Sequence, residues 1–66
     1  MAPSTLSPRQ LECVRLLAEG CTSTTIARRL GLSVHTVNQY IADACLRLRV
    51  RNRTQLVVEA IRQGLI

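Results

Sequence analysis

The chain has 66 residues and a formal charge of +5, and all nine of its basic residues are arginine. That length allows one small domain, which buries only about 60% of its unfolded surface and so calls for extra stabilisation, such as pairing with a second copy. Three cysteines with no close spacing argue against a disulfide framework or zinc knuckle, the lack of Phe and Trp against an aromatic platform for single strands, and the lack of an apolar run of ~18 residues against a membrane span.

The opening MAPST, residues 1–5, carries no apolar signal region and reads as a disordered lead or a linker remnant. The domain is expected over residues 6–66. Its first helix starts in LSPRQL. Ser7 caps, Pro8 takes the first helical position and Gln10 the third, a capping box of the S-x-x-Q type. Leu6 and Leu11 flank it as a hydrophobic staple. Leu11, Val14, Leu17 and Ala18 form the apolar stripe, and Gly20 stops the helix.

Thr22 caps a second, short helix, with Ile26, Ala27 and Leu30 facing inward and Gly31 as its left-handed end. Ser33 caps a third helix, VHTVNQYIADACLRL, whose inner stripe is Val37, Tyr40, Ile41, Ala44 and Leu48. Asn52 caps a fourth, with Leu56, Val57, Ala60 and Ile61 inward. Gly64 ends it, and Leu65 is set to fold back in a Schellman ending. The alternation in RLRVRNR looks like a strand with one charged face. It is instead a helix end, a bend and the next helix start, with Val50 inward. The fold expected is all-α, four helices and no strand.

The segment IARRLGLSVHTV carries the functional signal. Ala27 is small where two helices cross, Gly31 makes the turn and Val37 docks the third helix on the second. These are the requirements of a helix-turn-helix, which offers its second helix to the DNA major groove. At ~100° per residue from Val37, the outer face of the third helix holds His35, Gln39, Ala42 and Leu46, with Asn38 and Asp43 on the flanks. Asn38 and Gln39 suit adenine, because an amide both donates and accepts, and Ala42 can pack on a thymine methyl. Phosphate contacts are expected from Ser23 and Thr24 at the start of the second helix, from His35 and Thr36, and from Arg47, Arg51 and Arg53. Arg28 and Arg29 lie on a polar face, one of them directed at phosphate or Glu12. The fourth helix offers Val58 outside its inner stripe, beside Glu59 and Arg62, as a small self-complementary dimer patch.

LSPRQLECVRLLAEG, TIARRLGLS, HTV and RNRTQ together resemble the LuxR-type (LuxR/FixJ) DNA-binding domain of bacterial transcription regulators, over residues 6–66. The ending AIRQGLI is similar to the quorum-sensing branch, whose regulators carry an N-terminal acyl-homoserine-lactone receptor. The resemblance implies a four-helix domain, the third helix for recognition and a homodimer through the fourth on a pseudo-palindromic duplex. Family contact positions, carried across by motif, fall at Asn38, Gln39 and Ala42.

The chain also departs from that family. Lys or Arg is common at the positions of Asn38, Ala42 and Leu46, all uncharged here. Asp43 stands where Asn is common, and Gln10 and Thr25 stand where glutamates are. Arg49 replaces the usual Gly after the third helix. A second reading follows: a receptor-less module that contacts RNA polymerase or a full-length LuxR-type regulator, with exposed Leu46 as a contact point. No catalytic set is present, since the one His has no carboxylate pair or Cys partner around it, and no metal or cofactor is expected. Unpaired cysteines fit a reducing, cytoplasmic setting.

Overall fold

The computed structural model describes residues 6–66; the lead at 1–5 lies outside the described residues. Four helices follow in order: α1 Pro8–Ala18, α2 Ser23–Leu30, α3 Val34–Leu48 and α4 Arg53–Arg62. No strand occurs among the described residues. None of the helices is long and apolar enough to cross a membrane.

Each helix begins where a side-chain oxygen takes up an orphan backbone N–H. Ser7, Thr22, Ser33 and Asn52 are the four N-caps, each accepting from the backbone N–H three residues on. The first is a full capping box: Gln10 N donates to Ser7 Oγ at 3.2 Å, and Ser7 N donates to Gln10 Oε1 at 2.8 Å.

The helix ends share one device. Cys21 N, Leu32 N, Val50 N and Leu65 N reach back to Leu16 O, Ala27 O, Cys45 O and Ala60 O at 2.8–3.0 Å. The residue before each of those donors has positive φ. It is glycine at 20, 31 and 64, but Arg49, with φ 58°, after α3. Three ends use the residue that reaches this conformation without penalty, and one does not.

The core is a single cluster. Val14 and Cys13 of α1, Ile26 and Ala27 of α2, Val37, Ile41, Ala44 and Leu48 of α3, and Leu56 and Ala60 of α4 are all buried, and Leu6 closes one end. α1 and α3 each pack against all the other helices, whereas α2 and α4 lie apart. α3 is therefore held from three sides by its inner stripe, which leaves its opposite face to solvent.

Three expectations need correction. The buried stripe of α1 is Gln10, Cys13 and Val14, with Leu11 half-buried and Ala18 exposed. A stripe that starts on a glutamine is invisible to a count of apolar residues. Ile61 is 58% exposed rather than inward. α4 meets the core through Leu56 and Ala60, and Ile61 lies outside that buried pair. Finally, Arg29 approaches Glu19 at 3.7 Å, not Glu12, which pairs with Arg9 at 3.5 Å.

Candidate nucleic-acid interface

The inner residues of α3 recur at Val37, Ile41, Ala44 and Leu48, all buried. His35, Gln39, Ala42 and Leu46 are all exposed and form the opposite stripe. They span roughly 16 Å of helix at 1.5 Å per residue. Leu46 is 77% exposed, the most open large apolar side chain in the domain. At the head of the stripe, Ser33 Oγ donates to Thr36 Oγ1 at 2.9 Å and accepts from Thr36 N at 3.0 Å. The Thr36 hydroxyl thus begins as part of the cap. Thr24 is exposed on the first turn of α2.

Asn38 and Gln39 are neighbours, both exposed, that differ in their hydrogen bonds. Gln39 is exposed and open. Asn38 Oδ1 accepts from Ser23 Oγ at 2.7 Å and from Arg53 Nη2 at 2.8 Å. Arginine can only donate, so the Asn38 amide is fixed with its oxygen towards Arg53. Ser23, expected on phosphate, is buried, with its hydroxyl turned to Asn38 and its backbone N–H in the first turn of α2. Arg53, also expected on phosphate, lies on the same atom.

Charge is unevenly spread. Each of the four acidic residues has an arginine partner: Glu12 with Arg9, Glu19 with Arg29, Asp43 with Arg47, and Glu59 with Arg62. Arg15, Arg28, Arg49, Arg51 and Arg53 remain outside those pairs. Three of these five fall within residues 49–53, in the connection from α3 to α4 and the first turn of α4. Arg47 Nε lies 3.0 Å from Asp43 Oδ2, so Arg47 is shared with a carboxylate. Asp43 does not stand loose beside the outer face, because it also accepts from Gln10 Nε2 at 2.6 Å.

The α3–α4 connection and α3 from Asn38 to Leu46 line an open groove of about 620 Å³. Ile41, Ala42, Cys45, Leu46 and Val50 give it an apolar floor, with Asn38, Arg51 and Arg53 around it. Burial pushes the Cys45 thiol up, against a smaller downward pull from Arg53, so at neutral pH it is an uncharged wall. Arg51 is exposed, and its backbone N–H donates to Gln55 Oε1 at 2.9 Å, which steadies the bend. Among the described residues, no group of three His, Cys, Asp or Glu side chains could hold a metal ion.

On α4, Val58 and Ile61 are each 58% exposed and stand one turn apart. Glu59 accepts from Arg62 Nε at 3.2 Å, Arg62 Nη2 at 2.9 Å and Gln63 Nε2 at 2.7 Å. These hydrogen bonds hold its carboxyl below the usual range. Glu59 and Arg62, both expected at a dimer patch, thus pair with each other. Sequence reasoning missed Ile61, whose i+3 spacing from Val58 was the available signal.

The sequence and the fold both match known proteins. The family described as "Bacterial regulatory proteins, luxR family" matches residues 4–60. The quorum sensing-dependent transcriptional regulator VjbR of Brucella ovis is 38% identical over 63 residues, which cover 96% of this chain and 24% of that protein. The two-component response regulator PprB of Pseudomonas aeruginosa is 38% identical over 63 residues, covering 89% of this chain and 23% of its own. The chain thus spans about a quarter of the length of these curated relatives. Among solved structures, transcription factor GerE superposes with a TM-score of 0.90 at 31% identity, over 94% of this chain and 92% of its own. The response regulator ChrA of a heme-sensing two-component system gives 0.91 at 30% identity, over 100% of this chain and 33% of its own. The chain belongs to the luxR family of bacterial regulatory proteins, as a helix-turn-helix DNA-binding domain of a transcription regulator and not an enzyme.

Proposed function

We propose that this domain binds a pseudo-palindromic duplex as a homodimer, with the N-terminal half of α3 in the major groove. The observation that carries the reading is the open stripe of His35, Gln39 and Ala42 beside a connection that holds Arg49, Arg51 and Arg53 outside ion pairs. Asn38, Gln39 and Ala42 meet base edges. Thr24, His35, Thr36, Arg47, Arg51 and Arg53 meet phosphates. Ser23 offers phosphate its backbone N–H in the first turn of α2, since its hydroxyl is spent on Asn38.

The dimer forms through α4, where Val58 and Ile61 supply an apolar centre and Glu59 with Arg62 a polar rim. Its two α3 helices reach half-sites about 34–36 Å apart. The likeness to a quorum sensing-dependent regulator and to response regulators supports a domain governed by a separate signal-receiving unit. The exposure of Leu46 supports a second reading, in which this face contacts RNA polymerase or a full-length LuxR-type regulator.

Electrophoretic mobility of a randomised duplex pool, measured across salt concentrations, tests the proposal. Retardation that weakens steeply with salt and enriches a two-fold symmetric sequence is expected. No retardation at low salt overturns it and favours the protein-contact reading.

A further inference from the structure

α2, α3 and α4 meet at one atom. Asn38 Oδ1 accepts a hydrogen bond from Ser23 Oγ at 2.7 Å and a second, at the exposed surface, from Arg53 Nη2 at 2.8 Å. A carboxamide oxygen has two lone pairs, and both are used. Ser23 is buried, so its hydroxyl is not turned aside by water. α2 and α4 do not pack on each other, so this shared acceptor ties them through the recognition helix. What remains of the Asn38 amide for a ligand is Nδ2, which only donates.

This bears on base choice. An asparagine reads adenine by donating to N7 while accepting from the N6 amino group. With Oδ1 occupied, the second half of that pair is lost, and adenine leaves the Nδ2 hydrogens a single acceptor, N7, beside the N6 amino group as a competing donor. Guanine presents two adjacent acceptors, N7 and O6, to the same amino group. We propose that Ser23 and Arg53 are specificity-determining positioning residues, which turn Asn38 into a donor-only probe that selects guanine over adenine at the base pair it meets. This inference rests on the duplex-binding reading above. Gln39, whose amide is open, keeps the two-sided reading of adenine.

The test is selection from a randomised duplex pool by the wild-type domain, by Asn38→Ala and by Ser23→Ala/Arg53→Met. Far-UV circular dichroism checks folding, and Ser23→Ala alone serves if the double variant is unfolded. Asn38→Ala identifies the base pair by flattening its preference. At that pair the wild type is expected to prefer guanine. Freeing Oδ1 is expected to shift the guanine-to-adenine ratio towards adenine by about fivefold or more, the lower end for one bidentate base contact. Ser23→Ala alone shifts it in the same direction.

Three outcomes overturn the inference while leaving duplex binding intact. One is a wild type that already prefers adenine at that pair. Another is an Asn38→Ala variant that flattens no pair. The third is a double variant that weakens every sequence alike without moving the ratio, which would make Arg53 a phosphate contact only. A wild type that selects no sequence overturns the duplex reading itself and this inference with it.

Discussion

Gln10 Nε2 donates to Asp43 Oδ2 across 2.6 Å, joining the first turn of α1 to the middle of α3. Gln10 is 2% exposed, and its other end is spent as well, with Oε1 accepting from Ser7 N at 2.8 Å. No buried side-chain nitrogen or oxygen among the described residues is left without a partner. In LuxR-type domains these two positions often hold glutamate and asparagine. Here the carboxylate stands on α3 and the amide on α1, the reverse of that pattern. Two departures that look unrelated in sequence are one exchange in space.

The exchange predicts a coupling. Gln10→Glu alone sets two carboxylates against each other in a part-buried site and is expected to cost about 2 kcal/mol, the range for a hydrogen bond to a charged group. Adding Asp43→Asn restores a donor to the facing acceptor and recovers most of the loss. Urea denaturation of both single variants and the double gives the interaction energy. Simple additivity of the two effects would remove the pair from the account.

Arg49 has φ 58° and ends α3 where the other three helix ends use glycine. An L-residue in this region costs about 1–2 kcal/mol, and glycine gives back part of that through a more flexible unfolded chain. Arg49→Gly should therefore gain about 0.5–1 kcal/mol and raise Tm by a few degrees. Its side chain is exposed and outside the ion pairs, so little packing is lost. A lower Tm would mean that the arginine compensates its own strain.

Gln39 and Arg51 separate the two kinds of contact proposed. Gln39→Ala should change which sequences are preferred, because its amide is open on the outer stripe. Arg51→Ala should weaken all sequences alike and flatten the plot of log affinity against log salt by about one unit. Binding isotherms on matched and scrambled duplexes at several salt concentrations read both effects. Equal losses on both duplexes for both variants would contradict the division.

The helices were legible because their signals are local. Ser7, Thr22, Ser33 and Asn52 cap within three residues, and Gly20, Gly31 and Gly64 end helices by their own backbone freedom. Even the irregular Arg49 is visible as a misfit beside three glycines. The site was legible only as a face. Asn38 and Gln39 look equivalent in sequence, yet the bonds that tie down Asn38 come from residues 15 positions away on either side. The Gln10–Asp43 bond spans 33 positions. Contacts at such separations follow no helical period. Ile61 failed for a related reason: periodicity gives a face, but only the neighbouring helices decide how wide a face is covered.

Val58 and Ile61 make an association prediction. Two large apolar side chains, each 58% exposed and one turn apart, form a patch that a second copy can cover symmetrically. Sedimentation should report a concentration-dependent dimer. Val58→Asp and Ile61→Asp should each abolish it with little effect on the melting of the monomer, since neither side chain is in the core cluster. A monomer at the highest soluble concentration would refute α4 as the dimer helix.

Glu59 gives that helix a pH dependence whose sign is fixed. Hydrogen bonds from Arg62 and Gln63 lower its folded-state pKa from 4.5. Below 4.5 the unfolded chain therefore takes up a proton at this site more readily than the folded one, and stability falls with falling pH. The contribution is complete above 4.5 and disappears as pH drops through the lowered value. It is small, because the Arg62 partner is open to solvent and the pair is screened. Glu59→Gln retains the length of the side chain and removes the titration. Urea midpoints of the two proteins should differ by a constant amount from pH 7 down to pH ~5 and converge below it. A difference that persists unchanged to pH 3 would show that the Glu59–Arg62 pair does not carry this acid sensitivity.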